Sequence, residues 1–232
     1  MKILFVHQNM PGQYREMIQW LAKQKQHQLV FMTQRDPVPK IKGVTTVQYR
    51  PHHTPAQDSY ALSKSWAAAT GVGYGAMRAA HTLKNDHGFT PDIILGPTGW
   101  GELLFLKEVW PDVPVLGLFE YFYILEGGAP CFDRENPPNQ DARLLQLVRN
   151  AVTNCSLNAV DLGVAPTRWQ QDTFPSYFQD SLYCCHDGIR TDLLKPDPDV
   201  EISLGRLDRP LSRDDEVFTF MARNLERARG FH

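Results

Sequence analysis

The chain has 232 residues, of which 42% are hydrophobic and 22% charged, with a formal net charge of -2 and a pI of about 6.4. This composition suits one packed domain with extensions and excludes an intrinsically disordered chain. It carries no basic excess of the kind a polyanion attracts, so no nucleic-acid partner is expected.

The N-terminus, Met1-Lys2-Ile3-Leu4-Phe5-Val6, reads as a buried strand rather than a signal peptide, because its apolar run ends at His7 and no small-residue cleavage site follows. No stretch approaches the ~20 apolar residues of a membrane helix. A cytoplasmic location is expected, and peripheral membrane contact is compatible with it. Beyond a Pro11-Gly12 turn, Gln13 to Lys25 places Met17, Ile18, Leu21 and Ala22 at helical spacing. Gln28 to Thr33 and Val44 to Tyr49 read as strands, with Asp36-Pro37-Val38-Pro39 as the loop between them. Ser59 to Asp86 is the longest helical candidate; Gly71, Gly73 and Gly75 interrupt it and imply a kink or a close contact.

Further along, Pro91 to Leu95 is a fourth strand, Glu102 to Val109 a short helix ended by Trp110-Pro111, and Val113 to Phe119 a fifth strand. Gly127 to Pro138 is a loop, Ala142 to Leu157 a helix, and Leu162 to Ala165 a strand. Thr167 opens a short helix containing Trp169, and Ser181 to Cys184 is a strand. Asp197 to Arg213 is polar and proline-containing, and Val217 to Ala222 begins a new strand. Cys131, Cys155, Cys184 and Cys185 include no C-x-x-C pair. They are expected to be reduced and mostly buried, and no metal site is expected. Strands alternating with helices predict a doubly wound α/β domain, Rossmann-like, with a parallel sheet covered on both faces. Ligands of such folds bind beyond the carboxyl ends of the strands, so the residues following each strand are the candidates.

After the first strand stand Gly12 and Gln13, at a helix start where backbone N–H groups favour an anion; the alternative is a plain turn. The stretch lacks G-x-G-x-x-G and the P-loop, which disfavours an ordinary dinucleotide-binding domain. After the fourth strand, Gly99-Trp100-Gly101-Glu102 is either a sugar-binding lip, with Trp100 stacking and Glu102 bonding hydroxyls, or a helix cap with Trp100 in the core. After the fifth, Glu120 stands among Phe119, Tyr121 and Phe122, where a carboxylate is an acid/base or hydroxyl-orienting group, or else an ion-paired structural residue. Tyr121, Glu126 and Asp133 are further candidate sugar contacts. His186, before Asp187-Gly188, either reaches substrate or bonds to backbone. Arg223 and Arg229 either clamp a diphosphate together or lie in a solvated loop.

Taken in order, His7-Gln8-Asn9-Met10-Pro11-Gly12-Gln13-Tyr14, Gly99-Trp100-Gly101-Glu102, Phe119-Glu120-Tyr121, Pro166 to Gln170, His186 to Ile189 and Arg223 to Gly230 resemble GT4-type glycosyltransferases of the GT-B fold, especially a subgroup with a Gly-Trp-Gly-Glu turn. The resemblance implies the N-terminal domain of a retaining, hexosyltransferase-type enzyme. Such an enzyme moves a sugar from a nucleotide-diphosphate sugar to a carbohydrate or lipid-linked acceptor, without metal or other cofactor. It places the acceptor in this domain and the donor phosphates near Gly12, Gln13, Arg223 and Arg229. Glu120 takes the catalytic position; Trp100, Glu102, Tyr121, Glu126 and His186 take the acceptor side. Pro97-Thr98 departs from the histidine that relatives carry before the turn. The expected organisation is residues 1–196 as the acceptor-side domain, 197–216 as a linker, and 217–232 as the start of a truncated donor-binding domain. The chain alone is accordingly expected to be inactive. A non-catalytic sugar-binding module and a nucleotide-sugar epimerase are the alternatives.

Overall fold

The computed structural model describes residues 1–128, 131–205, 209–222 and 224. They divide into two compact units, residues 1–187 and 188–232.

The first unit is built on seven parallel strands: β1 (Lys2–Val6), β2 (Gln28–Thr33), β3 (Val44–Gln48), β4 (Ile93–Pro97), β5 (Val115–Leu118), β6 (Leu162–Ala165) and β7 (Leu182–Cys184). Their order is β3-β2-β1-β4-β5-β6-β7. The helices are α1 (Arg15–Gln24), α2 (Ala61–Asn85), α3 (Gln140–Leu157), α4 (Arg168–Asp172) and α5 (Ser176–Gln179). This is the doubly wound, Rossmann-like arrangement expected from the alternation of elements.

Side-chain alternation along β1 divides the core. Ile3 and Phe5 join Leu29, Phe31 and the α1 residue Ile18 on one face, while Leu4 and Val6 join Val30, Met32 and α2 on the other. Phe5 and Phe31 are fully buried, each worth about 1.5–3 kcal/mol relative to exposure. A third cluster, Phe119, Phe174, Phe178 and Leu182, fixes α4 and α5 against the β6–β7 end of the sheet. Asn139 caps α3 by accepting from the Ala142 N–H at 2.9 Å, and Thr167 caps α4 by accepting from the Gln170 N–H at 3.2 Å.

Of the two readings of the α2 glycines the close contact holds: α2 is one continuous helix without a break at them. A Cβ at Gly71 would stand 2.0 Å from the His53 carbonyl oxygen, and one at Gly75 2.1 Å from that of Arg50. Other local expectations change. The helix expected over Glu102 to Val109 is instead a run of turns ending in one tight turn, Leu106–Glu108. The Leu104 N–H bonds to Gly101 O and the Leu106 N–H to Leu103 O, three residues back rather than four. Gly101 lies close to α2, where a Cβ would stand 2.1 Å from Ala69 O, and its φ of 104° is not helical. Cys155, Cys184 and Cys185 are exposed and Cys131 half-buried, against the expectation of burial. Cys184 ends β7, which among the described residues is an edge strand with no neighbour on its outer side.

Within the second unit, Ile202 and Leu211 form an antiparallel bridge, and Arg209 pairs with Asp215. Val217 to Ala222 is not a strand: Phe218 and Met221 are 96% and 98% exposed. A strand requires a hydrogen-bonded neighbour, and none pairs with this segment among the described residues.

Candidate functional site

Connections run from β1 toward β3 on one side of the sheet and from β4 toward β7 on the other. The switch lies between β1 and β4, where the carboxyl ends leave a crevice. A cleft of about 530 Å³ opens beside it, bounded by α2, α3 and the segments after β1, β4 and β5.

His7, the first residue after β1, is buried. Its Nδ1 accepts from the Asn9 N–H at 2.9 Å, so the ring proton lies on Nε2, which donates to Gln13 Oε1 at 2.9 Å. That contact orients the Gln13 amide so that its Nε2 donates to Glu120 Oε1. A directed chain of hydrogen bonds thus runs from His7 through Gln13 to the carboxylate. Burial holds the His7 imidazole below its ordinary pKa, which favours the neutral ring. Gly12, at φ 54°, completes the turn; a Cβ there would meet the His7 ring at 2.8 Å.

Glu120 is half-buried on the cleft wall. Burial raises its pKa, the hydrogen bond from Gln13 opposes that rise, and the charge of Asp187 adds to it. Its carbonyl oxygen accepts from Gln170 Nε2 at 2.6 Å. The residues after it have no regular structure of their own and are held by side chains. Phe122 N–H donates to Thr173 Oγ1 at 3.2 Å. Asn150 clasps Tyr123 from both sides, accepting from its N–H and donating to its carbonyl, each at 2.8 Å. Tyr121 stacks on Trp169 at 5.6 Å between centroids and meets Tyr123 edge-on at 5.1 Å.

Trp100 stands on the cleft rim, 53% exposed, rather than in the core. Glu102 is instead fully buried. Its Oε1 accepts from the Gln8 N–H at 3.3 Å, and its Oε2 has no hydrogen-bond partner among the described residues. Glu126 pairs with Arg143 at 2.9 Å on the surface and does not line the cleft. His186 is exposed beyond β7 and also lies off the cleft wall. Arg223 and Arg229 lie outside the described residues. His7, Trp169, Asn150 and Arg149 were not singled out as site residues from sequence; the position of His7 immediately after a strand was the one available signal. Among the described residues no group of three or more His, Cys, Asp or Glu could hold a metal ion, and no helix is long and apolar enough to cross a membrane.

The buried Glu102 makes stability depend on pH. Burial pushes its carboxyl from 4.5 up to about 7. Below the unfolded value both states hold the proton. Between the two values the unfolded chain releases it first, so folded stability falls as pH rises, and the loss is complete above the folded value. Glu102→Gln removes this titration. Urea unfolding is expected to show the variant gaining on the order of 2–3 kcal/mol over wild type between mildly acidic and mildly alkaline pH. A stability difference that does not change with pH would contradict this assignment.

No curated protein matches the chain. Among solved structures, a UDP-glucose:anthocyanidin 3-O-glucosyltransferase in complex with UDP aligns with a TM-score of 0.51 and 10% identity, over 84% of this chain and 55% of that one. The UDP-GlcNAc 2-epimerase from Neisseria meningitidis bound to UDP-GlcNAc aligns at 0.42 and 12%, over 79% of this chain and 45% of that one. At such identities the likeness concerns the fold alone, and the chain spans about half the length of the structures it matches. The family described as the glycosyl transferase family 4 group has a model that matches residues 25–194. That span covers most of the chain, including β2 through β7, the whole cleft wall of α2 and α3, and Glu120. The chain belongs to the glycosyl transferase family 4 group.

Proposed function

We propose that the chain forms the acceptor side of a retaining glycosyltransferase of the hexosyltransferase type, in the subgroup with the Gly-Trp-Gly-Glu turn. The enzyme moves a sugar from a nucleotide-diphosphate sugar to an acceptor hydroxyl in the cytoplasm, without metal. The observation that carries this reading is the placement of Glu120: a carboxylate at the carboxyl end of β5, facing a cleft and aimed by Gln13. Its raised pKa makes it a better proton acceptor than a solvated glutamate. In this reading Glu120 receives the hydrogen bond of the acceptor hydroxyl. As the bond between the sugar C1 and the diphosphate oxygen breaks, the acceptor oxygen bonds to C1 on the face the diphosphate leaves, so the configuration is retained, and its proton passes to the carboxylate. Trp100 and Tyr121 hold the acceptor.

With both ends of its side-chain amide engaged by His7 and Glu120, Gln13 would meet the donor phosphates through its backbone N–H, next to Gly12. Arg223 and Arg229, outside the described residues, are proposed as diphosphate ligands in their own right. Glu102 acts from beneath the cleft by fixing the backbone of Gln8, and Glu126 and His186 are outer contacts for a long acceptor. The chain contributes one wall, and transfer requires a second that holds the donor sugar with its C1 against the hydroxyl. The 232-residue chain on its own is therefore expected to show no turnover.

The test is incubation of the full gene product with a panel of nucleotide-diphosphate sugars and hydroxylated acceptors, with and without chelator. Release of nucleoside diphosphate and the anomeric configuration of the product are followed by NMR. Chelator-insensitive transfer with retained configuration is expected. Acceptor binding without transfer would favour a non-catalytic binding module, and inversion at C1 would remove the retaining assignment.

A further inference from the structure

The cleft is chemically lopsided. From α2 it receives Ala68, Ala69 and Val72 along the middle of the wall, with Ser65 at one end; Leu118 and Val152 extend the apolar surface, and Gln8, Thr98 and Thr153 add neutral polar groups. Trp100, Tyr121 and Tyr123 supply aromatic edges. Among the described residues its lining holds one carboxylate, Glu120, and one cation, Arg149. The Arg149 guanidinium lies over the Tyr123 ring, 5.2 Å from the centroid, and its side-chain hydrogen bond goes to the neutral amide of Gln146 at 3.4 Å. Arg149 forms no ion pair among the described residues. The Tyr123 backbone beneath it is clasped by Asn150, so the guanidinium has a fixed platform.

A plain sugar matches this wall poorly. Along Ala68, Ala69, Val72, Leu118 and Val152 its hydroxyls would meet side chains that offer them no hydrogen bonds, and it brings no charge to the exposed Arg149 guanidinium. A ligand with an apolar ring buries that surface and presents one hydroxyl to Glu120. An anionic substituent then meets Arg149 in a charge-assisted bond. A volume of about 530 Å³ accommodates one such ring with its substituent.

Resting on the reading of this cleft as the acceptor site, we propose that the acceptor is an amphipathic anion: a hydroxylated apolar or aromatic ring whose carboxylate or phosphate pairs with Arg149. Calorimetry on the 232-residue chain tests this with para-coumarate, para-hydroxybenzylphosphonate and the methyl ester of para-coumarate. At least one of the two anions is expected to bind roughly tenfold more tightly than the ester, and the tighter of the two identifies the preferred anionic group. Arg149→Gln is expected to reduce anion binding to the level of the ester while leaving ester affinity unchanged, which also shows that the variant is folded. Equal affinity for acid and ester, anion binding that survives Arg149→Gln, or no binding of any probe at millimolar concentration would overturn the proposal. Transfer assays separate it from the broader reading. Arg149-dependent anion binding with no sugar transfer by the gene product leaves this inference standing and removes the transferase assignment. Transfer to neutral sugars regardless of Arg149 does the reverse.

Discussion

Replacing Gly71 by alanine is expected to destabilise the protein by about 3 kcal/mol, although the same change in an open helix stabilises by roughly 1 kcal/mol. The sign follows from what faces α2. The new methyl carbon would stand 2.0 Å from His53 O and 2.9 Å from the His53 carbonyl carbon, both main-chain atoms that cannot rotate away. The loop is also tethered to the helix at that level, since the His52 N–H donates to Gly71 O at 2.9 Å. Relief requires moving the loop or the helix, and either costs packing in the core beneath, where Ala76 and Ala80 are fully buried. Gly75→Ala, with its contact to Arg50 O at 2.1 Å, should behave alike. Urea titration gives the measurement: a lower midpoint with an unchanged slope. Arg78→Ala, on the exposed side of the same helix, serves as control and should stay within about 0.5 kcal/mol of wild type. A Gly71→Ala protein as stable as the parent would show that the loop does not press on the helix as described.

Glu120→Gln is expected to lower kcat for sugar transfer by roughly 10²- to 10⁴-fold, with a much smaller change in the KM for the nucleotide sugar. The amide keeps the shape of the side chain and loses the proton acceptor. It also turns the Gln13 contact into one between two neutral amides, a weaker bond than amide to carboxylate. Gln13→Ala should cost about tenfold by releasing the carboxylate from its aimed position. The double variant should be no worse than Glu120→Gln alone, because the second change acts only through the first. Steady-state kinetics on the gene product decides the matter: a Glu120→Gln enzyme close to wild type removes Glu120 from the chemistry, and additive losses would mean that Gln13 has a separate task.

The layered architecture was legible because it is written in local patterns. Ile3 to Val6 and Leu29 to Met32 are continuous apolar runs, as strands covered on both faces must be. Thr167 announces α4 through its cap. The failures have a common cause: where tertiary contact overrides local preference, local pattern misleads. Glu102 to Val109 has helical composition, yet Gly101 lies close to α2 at a non-helical φ and the chain turns too tightly for a helix. Cys184 and Cys185 are apolar residues at a strand end, but among the described residues no neighbouring strand covers that edge.

The candidate site was half legible for the same reason. Glu120 and Trp100 follow strands, and the rule that ligands gather there finds them both. The link between Gln13 and Glu120 joins residues 107 apart in sequence, and nothing local announces it. Arg149 sits two turns inside a helix, where an arginine looks like any solvated charge; its meaning comes from Tyr123, which α3 holds in place from another part of the chain. Glu102 shows the converse. Its position in the Gly-Trp-Gly-Glu turn suggested contact with ligand, whereas the turn points it inward.

The contact between α2 and the loop at residues 50–53 is main chain against main chain, and it divides the freedom to vary unequally between the two segments. The loop can exchange most of its side chains and keep its path, because the atoms touching the helix belong to every amino acid. The helix has no such latitude at Gly71 and Gly75. The course of the loop is therefore inscribed in the composition of a different element. A related chain in which both glycines have become bulkier must carry a rerouted or shortened loop.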